Sequence, residues 1–179
     1  KEQGLTPVLA GRSNETAALA AELGLPARVF SLSDVAATRR ALDGMSVVAH
    51  CAGPFAVTSA PMLDACLLAR THYVDITGET PWVRALIDRH HAQAARDGTR
   101  IIPCCGFDSV PSDLGAWLVA RAVHACCGER CVSVKACHSM RGGVNGGTLA
   151  SALNMLDSGQ ARRIDDPFLL NPAGTVPPR

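Results

Sequence analysis

The sequence is short of what several function classes need. Seventeen Lys and Arg stand against sixteen Asp and Glu, with no basic run and no interleaving of aromatic with basic side chains. A nucleic-acid face is therefore not expected. No apolar stretch reaches membrane-spanning length, because His50, Asp64, Arg70 and Asp75 interrupt the richest region, and a soluble chain without a transmembrane segment is expected. Paired C-x-x-C knuckles are missing: Cys126, Cys127, Cys131, Cys137 and His138 cluster along a predicted helix end and strand without zinc-ligand spacing, so no metal is expected. The eight cysteines include Cys51, Cys66, Cys104 and Cys105 in apparent strand and helix interiors. That placement suits reduced, buried thiols in the cytoplasm better than a disulfide framework. Internal repeats beyond strand-helix alternation and low-complexity tracts are absent. So is an initiator Met at Lys1, and the chain runs within a few residues into an apolar strand; a fragment is expected.

Three times a short apolar run ends in a glycine turn that feeds a helix: VVAHCAGPF from Val47, YVDITGE from Tyr73, and IIPCCGFDS from Ile101. Each reads as a buried strand. Strands separated by helices pair in parallel, so their carboxyl ends emerge along one edge of a single sheet, where open α/β folds bind ligands. Upstream, residues 5–11 and 28–32 read as strands, followed by helices over 14–23, capped by Ser13 or Asn14, and 34–42.

Helical spacing places Met62, Leu63, Cys66 and Leu67 on one face of a helix over 59–69, with Pro61 in its first turn. Trp82, Leu86, Ile87, His90 and Ala94 form an apolar stripe over 81–96. Val110, Leu114, Trp117 and Leu118 form another, with Asp108 or Ser109 as cap. Residues 131–139 alternate as a half-exposed strand does, so a different sheet is expected there. A flexible loop over 142–147, a helix from Thr148 carrying Leu149, Ala152, Leu153 and Leu156 on one side, and an irregular tail over 166–179 complete the reading. With 47% hydrophobic residues in 179, the chain fits one ordinary domain over 1–128 and the start of a second over 129–179.

Dinucleotide-binding folds open with a strand and a G-x-G-x-x-G-type turn. None is present, which leaves two accounts: a truncated dinucleotide domain, or a complete domain that binds no dinucleotide. The strand over 5–11 ends in Gly11-Arg12-Ser13. As a second strand it would offer Arg12 and Ser13 to the 2′-phosphate of NADP, where NAD-selective domains place an acid; the alternative is a surface arginine beside a helix cap. Ala52, Gly53, Pro54 and Phe55 would lie over the cofactor, unless Phe55 is simply core. Thr77, Gly78 and Glu79 add a hydroxyl and a carboxylate, though Glu79 serves equally as a first-turn helix acid. Gly106, Phe107, Asp108 and Ser109 follow the last strand, Ser109 able to donate to a ligand. Cys105 and His50 read as a core thiol and an inward histidine rather than as nucleophile and base.

VVAHCAGPF, THYVDITGET, ARDGTRIIPCCGFDSVPSDLG and GGTLASALNML with DPFLLNP together resemble the saccharopine dehydrogenase-like oxidoreductases, particularly the branch of trans-acting enoyl reductases. The resemblance covers nearly the whole chain, and CGFDSVPSDLG is its most specific segment. It implies a Rossmann-like doubly wound parallel sheet, lacking here its first strand-turn-helix unit, followed by the start of an α+β domain for substrate contacts and dimerisation. It further implies NADP as cofactor, held by Arg12, Ser13, Ala52, Gly53, Pro54, Phe55, Thr77 and Gly78. Glu79, Gly106, Phe107, Asp108 and Ser109 would border the nicotinamide and substrate, and no catalytic acid carries over. The implied reaction moves hydride to or from a C=C bond, as in an enoyl thioester of lipid or polyketide synthesis, with a synthase as partner. A saccharopine-like C=N reduction and a non-catalytic or membrane-associated scaffold are the alternatives.

Overall fold

The computed structural model describes residues 4–139, 141–143, 146, 149, 153, 156, 166–172 and 174–175. Five strand-helix units follow one another: β1 (Leu9–Gly11), α1 (Asn14–Glu22), β2 (Ala27–Val29), α2 (Val35–Arg40), β3 (Val47–His50), α3 (Phe55–Ala69), β4 (His72–Asp75), α4 (Thr80–Asp97), β5 (Ile101–Ile102) and α5 (Val110–Cys127). All pairing is parallel, as the alternation requires. The fold is α/β and Rossmann-like.

The single sheet of the sequence reading divides into two ladders, β1-β2 and β3-β4-β5. Within the first, the Leu9 N–H donates to the Pro26 carbonyl and the Phe30 N–H to the Gly11 carbonyl. The backbone groups of Ala10, between them, face the other edge, which no described strand occupies. Strand β1 is shorter than expected because Pro7 has no N–H for a ladder and Gly4 turns at φ 72°. Gly11 has its own reason to be glycine: a Cβ there would overlap the Thr16 side chain of α1.

The core lies where α3 and α4 meet the β3-β4-β5 ladder: Leu42, Met62, Leu63, Cys66, Leu67, Tyr73, Leu86 and Ala94 are all buried. The apolar face expected for α3 is thus the buried one. Its start is corrected, however, from residue 59 to Phe55, which leaves Pro61 inside the helix rather than in its first turn. A proline ring removes the N–H that would bond the carbonyl four residues back, so something else must favour the added turn.

Three further expectations are corrected. Helix α5 forms and ends on Gly128 at φ 69°, but none of its residues is buried, and Leu114, Trp117, Leu118 and Val119 are each about half exposed. Apolar spacing sets which residues share a face; burial needs an opposing element, and among the described residues Trp117 has the Arg121 guanidinium 4.8 Å from its ring centroid instead. Ser109, one of the two expected caps, holds the N-cap position, but its side chain makes no hydrogen bond there. Residues 131–139 form no strand, since alternation cannot supply a ladder partner, and Val132 is 96% exposed.

Gly146, Leu149, Leu153 and Leu156 are helical, so Gly146 is helical where a loop was expected, while 167–170 run through turns. Gly142 and Gly143 of the expected loop and residues 171, 172, 174 and 175 of the tail lie in neither helix nor strand, while Thr148, Ala152 and the other residues of the expected loop, helix and tail lie outside the described residues. The thiols are all free, but only Cys66 is fully buried. Strand β3 ends at His50 and β5 at Ile102, so Cys51, Cys104 and Cys105 fall past the strand interiors expected for them.

Core position and exposed face should separate in stability. Leu63→Ala, at a position with no exposure, is expected to cost about 3 kcal/mol, whereas Leu118→Ala, 58% exposed, should cost under about 1 kcal/mol. Urea denaturation of both variants checks this, and equal losses would mean that α5 is packed.

Candidate functional site at the carboxyl edge of the sheet

The register brings His50 opposite Asp75 and Val74 opposite Ile102, so the turns after β3, β4 and β5 leave one edge together. A carboxylate within an apolar strand must find donors or stay in water. Asp75 is 1% exposed and finds three: the Tyr73 hydroxyl on Oδ2 at 2.9 Å, and the N–H groups of Thr77 and Cys104 on Oδ1 at 3.0 and 3.1 Å. Its own carbonyl accepts the Cys105 N–H at 2.7 Å. One residue therefore ties the turn after β4 to the turn after β5.

Glu79 does the same on the other side. It is 2% exposed, and its Oε1 and Oε2 accept the N–H groups of Phe55 and Ala56 at 2.8 and 2.9 Å. These are the first amides of α3, otherwise unsatisfied at a helix start, and a negative charge there also meets the positive end of the helix dipole. This cap accounts for the early start of α3. The Glu79 N–H in turn donates to Thr77 Oγ1 at 3.0 Å. Local reading of Glu79 as an acid for its own helix had the right physics and the wrong helix.

His50 is buried between these groups, its ring centroid 5.8 Å from Phe55 and 6.0 Å from Tyr73, with Nε2 3.4 Å from Thr58 Oγ1. Burial lowers its pKa below the ordinary 6.5, against the opposing pull of Asp75 and a hydrogen bond to Ala52. Burial also pushes the Cys66 thiol up to about 12. Cys104 rises to about 11 by burial, with Asp75, Asp108 and Cys105 adding to it. Cys104 also sits at φ 60°, a conformation that non-glycine residues seldom adopt. These two thiols are protonated at neutral pH, which disfavours either as a nucleophile.

The residues singled out from sequence divide by exposure. Phe55, Thr77 and Glu79 are buried and join the turns to one another. Gly106 is buried too: a Cβ there would lie 2.6 Å from Asp108 Oδ1 and 3.5 Å from Ile76. Pro54 and Ser109 are partly buried. Ala52, Gly53, Gly78, Phe107 and Asp108 face solvent, Phe107 at 85%. Asp108 Oδ2 lies 3.6 Å from where a Gly78 Cβ would stand, so these two turns are neighbours.

Arg12 and Ser13 are exposed at the end of β1. The Arg12 side chain makes no hydrogen bond or ion pair among the described residues. Arg28, by contrast, is committed to the carbonyls of Ala41 and Asp43 at 2.7 and 3.0 Å. Sequence reasoning passed over Asp75 and Tyr73, although an Asp inside HYVD was signal enough.

Away from this edge, a cavity of about 510 Å³ lined by Arg39, Arg40, Asp43, Met45 and Thr71 opens at the amino ends of β3 and β4. Among the described residues no three His, Cys, Asp or Glu are placed to hold a metal ion, and no helix is long and apolar enough to cross a membrane.

Residues 1–102 match the model of the saccharopine dehydrogenase NADP binding domain. A trans-acting enoyl reductase of Mycobacterium leprae is 37% identical over 175 residues, covering 90% of this chain and 42% of that protein. One of Mycobacterium bovis is 40% identical over 131 residues, covering 69% of this chain and 31% of that protein. The chain thus spans less than half the length of these relatives. Among solved structures, apo saccharopine dehydrogenase (L-Glu forming) of Saccharomyces cerevisiae superposes with a TM-score of 0.56 at 22% identity, over 66% of this chain and 25% of that one. That likeness concerns the fold.

The His50 environment has a testable sign. The unfolded chain, whose His50 titrates at the ordinary 6.5, binds the proton that the folded ring resists. Stability is therefore unaffected well above pH 6.5 and falls as pH drops below it, until the folded pKa is passed. His90, lowered by burial against the pull of Asp64, acts the same way. His50→Gln should reduce the loss of unfolding free energy between pH 7 and pH 5, as measured by urea titration, and an unchanged slope would show that His50 is not held neutral.

Proposed function

The chain belongs to the saccharopine dehydrogenase NADP-binding domain family, and on that premise we propose that it is the cofactor-binding part of an NADP(H)-dependent oxidoreductase that reduces the C=C bond of an enoyl thioester. The observation that carries the cofactor half is Arg12, a guanidinium without a hydrogen bond or ion pair among the described residues, at the carboxyl end of β1, where a 2′-phosphate is met in NADP-selective domains. In the doubly wound order 3-2-1-4-5-6, strands two and four flank strand one. With β1 as strand two and β3 as strand four, the break between the two ladders falls where strand one and its glycine-rich turn would insert. The first domain would then end with α5, at residue 128, and a second begin at 129.

Bound NADPH supplies hydride. The protein's part is to hold the two ends of the cofactor and exclude water: Arg12 and Ser13 at the 2′-phosphate, and Ala52, Gly53 and Pro54 along the crevice. Phe55 and Thr77 shape that wall from behind, since both are buried, and Gly78 leaves room in front of Asp108. Phe107, Asp108 and Ser109 border the substrate, on the turn after β5 in which Gly106 leaves room for the Asp108 carboxylate, while Glu79 fixes the start of α3 across from it. The enoyl substrate rests on the names of relatives at 37–40% identity, and a partner synthase that delivers it, in the cytoplasm, belongs to the same reading. A homodimer through the second domain is also part of it. The alternative of a saccharopine-like C=N reduction has only the fold likeness to the yeast enzyme behind it.

Arg12→Ala removes one charge-assisted contact of about 1.5 to 3 kcal/mol. In the longer protein that contains this chain, calorimetry should show NADPH binding weakened about ten- to a hundredfold and NADH binding little changed. If both affinities fall together, or neither moves, Arg12 is a surface residue beside a helix cap.

A further inference from the structure

The turn after β3 is held by its carbonyls. Thr58, in the first turn of α3, sets its hydroxyl against the carbonyl of Ala52 and against that of Pro54, the latter at 2.9 Å. His50 adds a hydrogen bond of its own to the Ala52 backbone, one that favours the charged ring and is therefore donated by the ring to the carbonyl. Its Nε2 lies 3.4 Å from the Thr58 oxygen. The ring is buried, edge-on to Phe55 and tilted against Tyr73, and Phe55 is itself fixed through its amide by Glu79. Two side chains from different elements thus converge on one backbone carbonyl.

The geometry of the peptide unit carries that restraint to the outer surface. A carbonyl only accepts, so both bonds draw the Ala52 oxygen toward α3 and the buried ring. Across a trans peptide the N–H points opposite to the C=O, and the Ala52–Gly53 bond is trans. The Gly53 N–H is therefore turned away from the core, on an exposed residue at the carboxyl edge of the sheet. It has no hydrogen-bond partner among the described residues. The positions that follow offer no substitute: Pro54 has no N–H, and the amides of Phe55 and Ala56 are taken by Glu79.

We propose that Thr58 and His50 are positioning residues that hold the Gly53 N–H toward the crevice, where it donates to an oxygen of the bound dinucleotide. The inference rests on the cofactor reading above and adds to it a backbone contact distinct from that of Arg12. Arg12 answers the 2′-phosphate, which only NADPH carries, whereas an amide aimed at the part common to both cofactors serves NADPH and NADH alike. A donor already held in place loses little freedom when the ligand arrives, which is how such a restraint raises affinity.

The test uses the longer protein that contains this chain, labelled with carbonyl-13C alanine and 15N-glycine so that NMR reads the Ala52–Gly53 peptide unit, with calorimetry of NADPH and NADH alongside. Both cofactors should shift the Gly53 amide. Thr58→Val, which keeps the shape and removes the hydroxyl, and His50→Leu should each weaken the two cofactors alike, by about two- to tenfold. His50→Gln, which returns an N–H at similar reach, should recover most of that loss. Should His50→Leu fail to fold, Thr58→Val decides alone. Cofactor binding that leaves the Gly53 amide unmoved overturns the proposal, as does wild-type affinity in Thr58→Val, or a His50→Gln protein as weak as His50→Leu. Those outcomes spare the cofactor reading. If neither cofactor binds the wild type, that reading fails and the positioning role fails with it.

Discussion

A buried carboxylate that accepts the first amides of a helix belonging to another unit is the constraint on which the rest of this edge depends. Glu79 reaches from the turn after β4 to Phe55 and Ala56, and a charged acceptor for two orphan amides contributes more than a neutral one, about 1.5 to 3 kcal/mol for each bond. With it in place α3 begins at Phe55 despite Pro61 inside the helix, and His50 is enclosed between Phe55 and Tyr73. Asp75 performs the matching task toward the turn after β5. Two acids thereby hold three loops in fixed relation, and a ligand site built on loops needs its geometry fixed from behind.

What was legible in the sequence followed from local chemistry. The parallel α/β class is read from apolar runs alternating with helical spacing, and the buried face of α3 from Met62, Leu63, Cys66 and Leu67. Helix α4 closes on Gly98, a residue suited to the φ of 70° it adopts there. The family, likewise, was legible in segments such as CGFDSVPSDLG, and the match over residues 1–102 bears it out. What was not legible depends on partners distant along the chain. Glu79 and Phe55 are 24 residues apart and Asp75 and Cys104 are 29 apart, separations at which no periodicity links them. The apolar face of α5 and the alternating 131–139 segment carry the right pattern without a described partner. Pattern states what a segment could bury, and only the neighbouring element decides whether it does.

The division of labour between buried and exposed residues also separates Glu79 from Asp108, which the sequence reading had grouped. Asp75 and Glu79 are committed to backbone amides, whereas Asp108 stands in solvent beside Phe107. The first pair sets the shape of the edge, and the second pair is accessible to whatever binds there. Arg12, just past the end of β1, belongs with the accessible set and follows a strand of the other ladder, so the proposed cofactor would span the gap between the ladders and bridge them.

The central claim is that Glu79 holds α3 in register with the turn after β4. Amide hydrogen exchange at Phe55 and Ala56, read residue by residue in the wild type and in Glu79→Gln, tests it most directly. Both amides should be protected in the wild type and exchange about ten- to a hundredfold faster in the variant, while amides in the middle of α4 stay as slow as before. Protection that survives the substitution, or a loss spread evenly over all five helices, would contradict the account.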